Sequence, residues 1–172
     1  MELLIPGLIL VALMVWASTR IKKNAAAAFD AETVDTEQLV IRKPEGFLHV
    51  LNDESGLAFR SYSKEFGKVG TKDIRRGTIE IEWHPDTDLD ALRRSISALA
   101  EHVTTVEAYL DAEEKAAWVN STRIVDGGEF DISSKLVTRG NDVWEARGTI
   151  LSEYRDGLAK TIEAALDSVR IK

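Results

Sequence analysis

The sequence has no cysteine among its 172 residues, and this absence removes several kinds of chemistry at once. Disulfides, cysteine-based zinc sites, thiol catalysis and a lipid anchor on cysteine are all excluded. Histidine is also scarce: His49, His84 and His102 are scattered, without the H-E-x-x-H spacing of a metalloprotease site. From the sequence we therefore expect no metal and no cofactor.

Positive charge is limited in most of the chain. The net charge is −7, and residues 1–23 carry +2, so residues 24–172 carry −9. Phosphate binding requires a basic face, so this balance argues against nucleic acid as the main partner. Glycine-rich phosphate loops in a strand-to-helix context and the G-x-S-x-G elbow are also missing. We therefore expect a protein that is not an enzyme.

The chain opens with an uncharged run over residues 3–17, LLIPGLILVALMVWA. Extended through Thr19, it forms roughly 25 Å of helix, a short match to a hydrocarbon core of about 30 Å. A cleaved signal peptide would begin with positive charge, whereas only Glu2 precedes the run. A buried core helix would not be apolar on every face, so we favour a retained transmembrane helix over both alternatives. The predicted anchor residues are Leu3, Leu4, Ile5, Leu8, Ile9, Leu10, Val11, Leu13, Met14, Val15 and Trp16.

Basic residues follow the apolar run at Arg20, Lys22 and Lys23. Because positive flanks stay in the cytoplasm, the soluble part is expected on the cytoplasmic side of a bacterial inner membrane, with the periplasm as the alternative. The predicted organisation is an anchor with a basic flank over residues 1–23, an acidic linker over 24–38 and one soluble domain over 39–172.

The domain alternates between strand-like and helical patterns. Residues 77–83 place apolar and polar side chains on opposite faces, as in a half-buried strand, and Asp126-Gly127-Gly128 is typical of a tight hairpin turn. Apolar stripes predict helices over 88–103 and 152–169, and a shorter helix over 107–118 is a further expectation. Asp88 is expected to cap the first of these. The predicted fold is α+β, with a central antiparallel sheet packed by two or three amphipathic helices after one transmembrane helix.

Two segments of the domain resemble a known family. They are IRKPEGFLHVL at residues 41–51 and TIEAALDSVRI at residues 161–171. Together with the order of hairpins, helix, meander and closing helix, they resemble the PsbP-like fold. That fold includes the extrinsic photosystem II subunit, a Ran-binding protein, and bacterial envelope proteins and secretion chaperones. The resemblance implies a non-enzymatic docking domain, because the family shares a fold rather than a chemistry.

One segment departs from the acidic character of the domain. Residues 64–76, KEFGKVGTKDIRR, carry a net charge of +3. Such a loop beside a membrane can contact anionic lipid headgroups or an acidic protein surface, while the alternative is a mobile, solvated loop. The candidate docking residues are Lys64, Phe66, Lys68, Lys72, Arg75 and Arg76.

Two functional hypotheses follow from these observations. The first is an accessory or scaffold subunit of a bacterial inner-membrane complex, with the lipid bilayer and an integral membrane protein complex as partners. The second is a tethered chaperone or adaptor that binds apolar segments of client proteins, which requires an exposed apolar groove.

Overall fold

The computed structural model of the chain describes residues 4–51, 53–111 and 114–172, without the side chains of residues 4–10, 12, 24, 110 and 111. Its helices are α1 (Leu4–Ala27), α2 (Leu89–Ala98) and α3 (Arg155–Asp167), the last preceded by a 3-10 turn over Ser152–Tyr154. Its strands are β1 (Glu32–Asp35), β2 (Leu39–Lys43), β3 (Phe47–His49), β4 (Phe59–Ser63), β5 (Phe66–Val69), β6 (Lys72–Arg75), β7 (Gly77–His84), β8 (His102–Asp111), β9 (Glu114–Val125), β10 (Gly128–Arg139), β11 (Asp142–Leu151) and β12 (Arg170–Ile171).

The centre of the domain is a seven-stranded antiparallel sheet in the order β3-β4-β7-β11-β10-β9-β8. Strands β8 to β11 form a meander, because each pairs antiparallel with the next in the chain. A smaller sheet pairs β1 and β12 with β2, and β5 pairs with β6 as a separate hairpin. The predicted α+β class with a central antiparallel sheet is confirmed.

The two faces of the large sheet are covered by different helices. One face packs against α3, where Ile162 and Leu166 contact Ile79, Ile81 and their neighbours in the main core. The opposite face packs against α2, whose Leu89, Leu92 and Ile96 lie on a smaller cluster. Since side chains alternate along a strand, each strand supplies residues to both faces.

The N-terminus of α2 is capped as predicted. The Asp88 carboxylate accepts a hydrogen bond of 2.9 Å from the Ala91 amide. The helix ends at Ala98, however, and the last two residues of its predicted stripe, Leu99 and Val103, are exposed. The strand β8 begins at His102, where Val103, Thr104, Thr105 and Val106 favour extended backbone.

The short helix predicted over residues 107–118 is wrong. Residues 107–111 and 114–118 belong to the antiparallel strands β8 and β9, and Glu107 lies opposite Trp118. Long-range pairing with β10 decides the outcome, because Trp118 also lies opposite Lys135. Local helix propensity is too weak to resist such pairing.

The segment expected as a linker also has defined structure. Helix α1 continues to Ala27, and β1 pairs with β2 over four residues, including Val34 opposite Ile41. Val34 packs against the main core, which gives this acidic stretch an apolar contact to hold it in place.

Among the residues whose side chains the structure describes, no helix combines the length and apolarity needed to cross a membrane. The predicted anchor residues Leu3, Leu4, Ile5, Leu8, Ile9 and Leu10 lie outside the described side chains. The anchor therefore stays a prediction.

Candidate functional site: the helix junction and the basic hairpin

The junction between α1 and the domain is organised around a buried lysine. Lys43 is fully buried, and its ammonium group donates hydrogen bonds to the carbonyl oxygens of Ala28 (3.2 Å), Asp30 (2.6 Å) and Phe47 (2.8 Å). The carboxylate of Glu32 lies 3.5 Å away. The three carbonyls and one carboxylate offset the cost of removing this charge from water.

The alternation of β2 explains why a lysine occupies this position. Leu39, Ile41 and Lys43 share the buried face of the strand, so the lysine side chain must lie inside the protein. Its four-carbon stem reaches the backbone immediately after α1. The Gly46 amide also donates a 2.7 Å hydrogen bond to the Phe29 carbonyl. This bond fixes the chain that follows α1 against the turn between β2 and β3.

The predicted docking loop contains a hairpin of two short paired strands. Strands β5 and β6 pair over four residues each, with Gly70 in the left-handed region at the turn. Val69 is buried against Gly128, where an added Cβ would lie 2.5 Å from the valine side chain. This close approach attaches the hairpin to the turn between β9 and β10.

Two arginines of the hairpin lie over aromatic rings. The Arg75 guanidinium is 3.9 Å from the ring centre of Phe66 and 4.3 Å from that of Tyr62. Arg76 lies 4.1 Å above the Tyr154 ring and also pairs with the Glu65 carboxylate. These contacts fix the planes of both guanidinium groups, so the two arginines brace the hairpin.

The lysines of the hairpin are largely matched by acids. Lys72 bonds to Asp126 at 2.8 Å, and Lys68 lies 3.9 Å from Asp73. The hydrogen bond between Lys72 and Asp126 raises the pKa of the lysine and lowers the pKa of the aspartate. Both pairs are exposed, so each contributes little to stability and can exchange with another acidic group.

Lys64 connects the hairpin to the junction. Its ammonium lies 5.4 Å from the ring centre of Phe29, the residue whose carbonyl bonds to Gly46. A cavity of about 430 Å³ opens beside it, with Phe47, Arg76 and Tyr154 among the residues that line it. The tertiary structure thus places Lys64, one of the predicted docking residues, next to the chain that leaves α1.

The described part of the predicted anchor is exposed. Five apolar side chains of α1 show 57% to 65% of their surface to solvent: Val11, Leu13, Met14, Val15 and Trp16. The predicted topology residues Arg20, Lys22 and Lys23 are also exposed, and the Arg20 guanidinium lies 5.2 Å from the Trp16 ring.

Solved structures with the same arrangement decide the fold. The cyanobacterial PsbP protein CyanoP from Synechocystis superposes with a TM-score of 0.61, covering 84% of this chain and 94% of that one at 10% identity. LpqN, described as involved in cell envelope biogenesis of Mycobacterium tuberculosis, gives a TM-score of 0.61, with 83% and 91% coverage and 10% identity. The chain has a PsbP-like fold. No protein-family model and no curated protein sequence matches it.

The PsbP-like domain also holds a charged network that the sequence patterns missed. It lies on the sheet face that α2 leaves partly open, where the outward residues of β7 and β11 meet. Arg147 pairs with Glu80 at 3.1 Å and lies 3.7 Å from Glu145, while Arg60 pairs with the same Glu80 at 3.1 Å. The alternation of residues 77–83 indicates a polar face of this strand. It gives no sign that these polar side chains lie beside those of β11.

The centre of this network is the carboxylate of Glu145, which is 3% exposed. Burial opposes its ionisation, yet contacts with His84, Arg147 and Ser134 outweigh burial and hold its pKa below the ordinary value. Contact with Glu145 in turn raises the pKa of His84, against the effect of burial. The PsbP-like domain therefore keeps an ionised carboxylate inside a sheet-face network.

Proposed function

We propose that this protein is a single-pass, membrane-anchored accessory or scaffold subunit of a bacterial inner-membrane complex, without an enzymatic role of its own. In this proposal α1 lies in the lipid bilayer and contacts integral membrane proteins. The PsbP-like domain then docks on the cytoplasmic face of the complex, with the periplasmic face as the alternative orientation.

The exposed apolar side chains of α1 carry the proposal. Val11, Leu13, Met14, Val15 and Trp16 are each more than half exposed. Because an α-helix has about 3.6 residues per turn, these near-consecutive positions point to every side of α1. Full burial of one large apolar side chain is worth about 1.5–3 kcal/mol, so an apolar medium around α1 gains several kcal/mol. A helix that is apolar on all sides is typical of a membrane span or a protein core.

The junction supports a scaffold rather than a loose tether. Helix α1 runs on from Trp16 to Ala27, which adds roughly 16 Å of helix beyond the apolar run. Lys43 then clamps the carbonyls of Ala28 and Asp30. A continuous helix that ends in a clamp holds the domain at a defined distance from the bilayer, as a docking subunit requires.

The basic hairpin supplies the docking surface in this proposal. Lys64, Lys68 and Lys72 are exposed, and the pairs that Lys68 and Lys72 form with acids are exposed as well. An exposed ion pair adds little to stability, so acidic groups of a partner can replace Asp73 and Asp126. Complementary charge of this kind mainly sets the rate and orientation of docking.

Membrane attachment is tested by two arginine substitutions on the same helix. Leu13→Arg places a charge inside the apolar run, at a cost of about 2.5–3.5 kcal/mol near the bilayer centre. Ile21→Arg is the matched control, because Ile21 is an exposed apolar residue within the basic flank. In carbonate-washed membranes, we expect the unaltered protein and Ile21→Arg in the membrane pellet and a large part of Leu13→Arg in the supernatant.

Docking is tested by charge reversal on the hairpin. Lys64→Glu combined with Lys68→Glu should reduce co-purification with a larger assembly in mild detergent. Lys160→Glu is the control, since Lys160 is an exposed lysine on α3. A sharp monomeric species of the unaltered protein, or equal recovery of the assembly with both variants, would count against the proposal.

A second candidate function, a tethered chaperone or adaptor, is favoured by one feature of the sheet. A groove of about 350 Å³ lies between the end of α2 and the sheet, lined in part by Ile96, Leu99, Val125 and Phe130. Leu99 and Val125 are exposed. Binding of an apolar client peptide that Leu99→Asp abolishes, with co-purification unaffected, would select this function over the first.

A further inference from the structure

We propose that Glu82, His84 and Glu145 form a binding site for a divalent transition-metal ion, and that zinc is the ion that fits it best. This site is independent of the membrane attachment and docking proposed above. It lies on the open part of the sheet face that α2 partly covers.

The sheet register brings the three side chains together. Glu82 on β7 lies directly opposite Glu145 on β11, and His84 follows two residues later on the same face of β7. Each residue offers one potential ligand atom, and these three atoms all lie within 4.8 Å of one another. His84 Nε2 lies 3.5 Å from Glu145 Oε2 and 4.0 Å from Glu82 Oε2.

These separations suit shared coordination better than direct hydrogen bonding. With metal–ligand bonds of about 2.1 Å, two ligands of a tetrahedral zinc lie about 3.4 Å apart. The separation between His84 and Glu145 matches this value, whereas Glu82 must move closer to the other two ligands, since the three atoms span up to 4.8 Å; its partly exposed side chain allows this. A separation of 3.5 Å, by contrast, is long for a hydrogen bond.

The ring nitrogen of His84 that faces the site is buried and makes no hydrogen bond. Glu145 is 3% exposed, and its Oε1 atom accepts a 2.8 Å hydrogen bond from the Ser134 hydroxyl. Its Oε2 atom points instead towards His84 Nε2, a buried atom that makes no hydrogen bond. A buried ring nitrogen without a hydrogen bond is costly, and a cation held between it and the neighbouring carboxylate removes that cost.

Ser134 supplies the outer support that metal-binding carboxylates require. Its hydroxyl fixes Glu145 through one oxygen and leaves the other free to coordinate. Arg147 is the main competitor: its shortest contact, 3.1 Å, is with Glu80, and it also lies 3.7 Å from Glu145 Oε1 and 4.0 Å from Glu82 Oε2. The arginine offsets the negative charge of the two glutamates from that side.

The donor set identifies the class of ion. One imidazole with two carboxylates suits zinc and similar first-row ions, whereas calcium and magnesium prefer oxygen ligands alone. The side chains of Glu82 and His84 are 42% and 21% exposed, so water can reach a metal held here. The expected ion therefore has three protein ligands and an open position for water.

Metal binding is measured on the full-length protein in detergent, stripped by a chelator and titrated calorimetrically with zinc chloride and then with magnesium chloride. We expect one zinc per chain and no comparable magnesium binding. Glu82→Gln and His84→Gln should each weaken zinc binding by roughly tenfold or more, and Ser134→Ala by about tenfold. His102→Gln is the control, because His102 is exposed on β8 and outside the site.

Three results would overturn the site. The first is zinc binding that does not saturate at one ion per chain, and the second is unchanged affinity in both Glu82→Gln and His84→Gln. The third is loss of binding in His102→Gln alone. Because Glu82 and His84 are partly exposed, both variants should keep the unfolding midpoint of the metal-free protein, which separates loss of a ligand from loss of the fold.

Discussion

Replacement of Lys43 by methionine tests the junction between α1 and the domain most directly. Methionine keeps the length and most of the volume of the side chain but removes the ammonium group. The carbonyl oxygens of Ala28, Asp30 and Phe47 then lose their shared donor. Residues 28–31 should separate from the domain while the main sheet persists.

The magnitude follows from the three hydrogen bonds. Each bond from a charged donor contributes about 1.5–3 kcal/mol, and an unsatisfied buried carbonyl costs about 1–3 kcal/mol. Ala28 and Asp30 are exposed, so water can replace part of the hydrogen bonding that their carbonyl oxygens lose. Phe47 is buried, so its carbonyl oxygen stays without a donor. Removing a fully buried charge also returns several kcal/mol of desolvation cost. The net loss of unfolding free energy should be about 2–4 kcal/mol.

Urea unfolding of the full-length protein in micelles measures this loss, and amide hydrogen exchange follows the junction. Arg42→Met is the matched control on the same strand, because Arg42 is exposed and should change stability by about 0.5 kcal/mol or less. Equal stability of the two variants, with unchanged amide protection at Gly46, would refute the assigned role of Lys43.

Two further predictions concern packing and pH. Gly148→Ala should lower the unfolding free energy by about 1–3 kcal/mol, because its new Cβ would lie 2.2 Å from a methyl group of Ile162. Gly157→Ala, in open space on α3, should raise it by about 0.4–1 kcal/mol in the same unfolding assay, and a reversed order would contradict this packing. Burial lowers the pKa of His49, with Lys43 adding to and Glu32 opposing this effect. The unfolded chain then binds the proton more readily, so stability is full above a pH of about 6.5 and falls as the pH drops through the folded-state pKa. His49→Gln should flatten this dependence, and identical pH profiles of the two proteins would exclude the effect.

Much of the fold could be predicted because the deciding signals are local. The alternation of residues 77–83 and the Asp-Gly-Gly turn specify strands and a hairpin over a few residues. The stripe of α3, including Leu158, Ile162 and Leu166, matches the helix that covers the main core. The resemblance to the PsbP-like fold is confirmed by the superposed structures.

The structure differs from what the local patterns indicate at places where distant contacts act. Residues 107–111 pair with β9, and residues 116–118 pair with both β8 and β10, so hydrogen bonds to other strands outweigh a local preference for helix. The acidic linker became partly a strand because Val34 reaches the main core. The basic segment at 64–76 became a fixed hairpin because Val69 fits against Gly128, almost sixty residues later.

In the candidate sites, too, some features follow from residues close together in the sequence and others from contacts between distant residues. The predicted anchor and basic residues can be read from composition along the chain, but their roles remain proposals. Nothing in the spacing of His84 relates it to Glu145, because these residues are separated by a helix and three strands in sequence. The register of β7 against β11 alone makes them neighbours.

The amino-acid sequence by itself determined the periodic elements, the acidic domain and the apolar N-terminal helix, because each depends on residues close together in the chain. Only the tertiary structure decided that Lys43 bonds to the backbone after α1 and that the basic segment packs against Gly128. It also decided that Glu82, His84 and Glu145 lie close together. Those outcomes depend on strand register and burial, which bring together side chains that no local pattern connects.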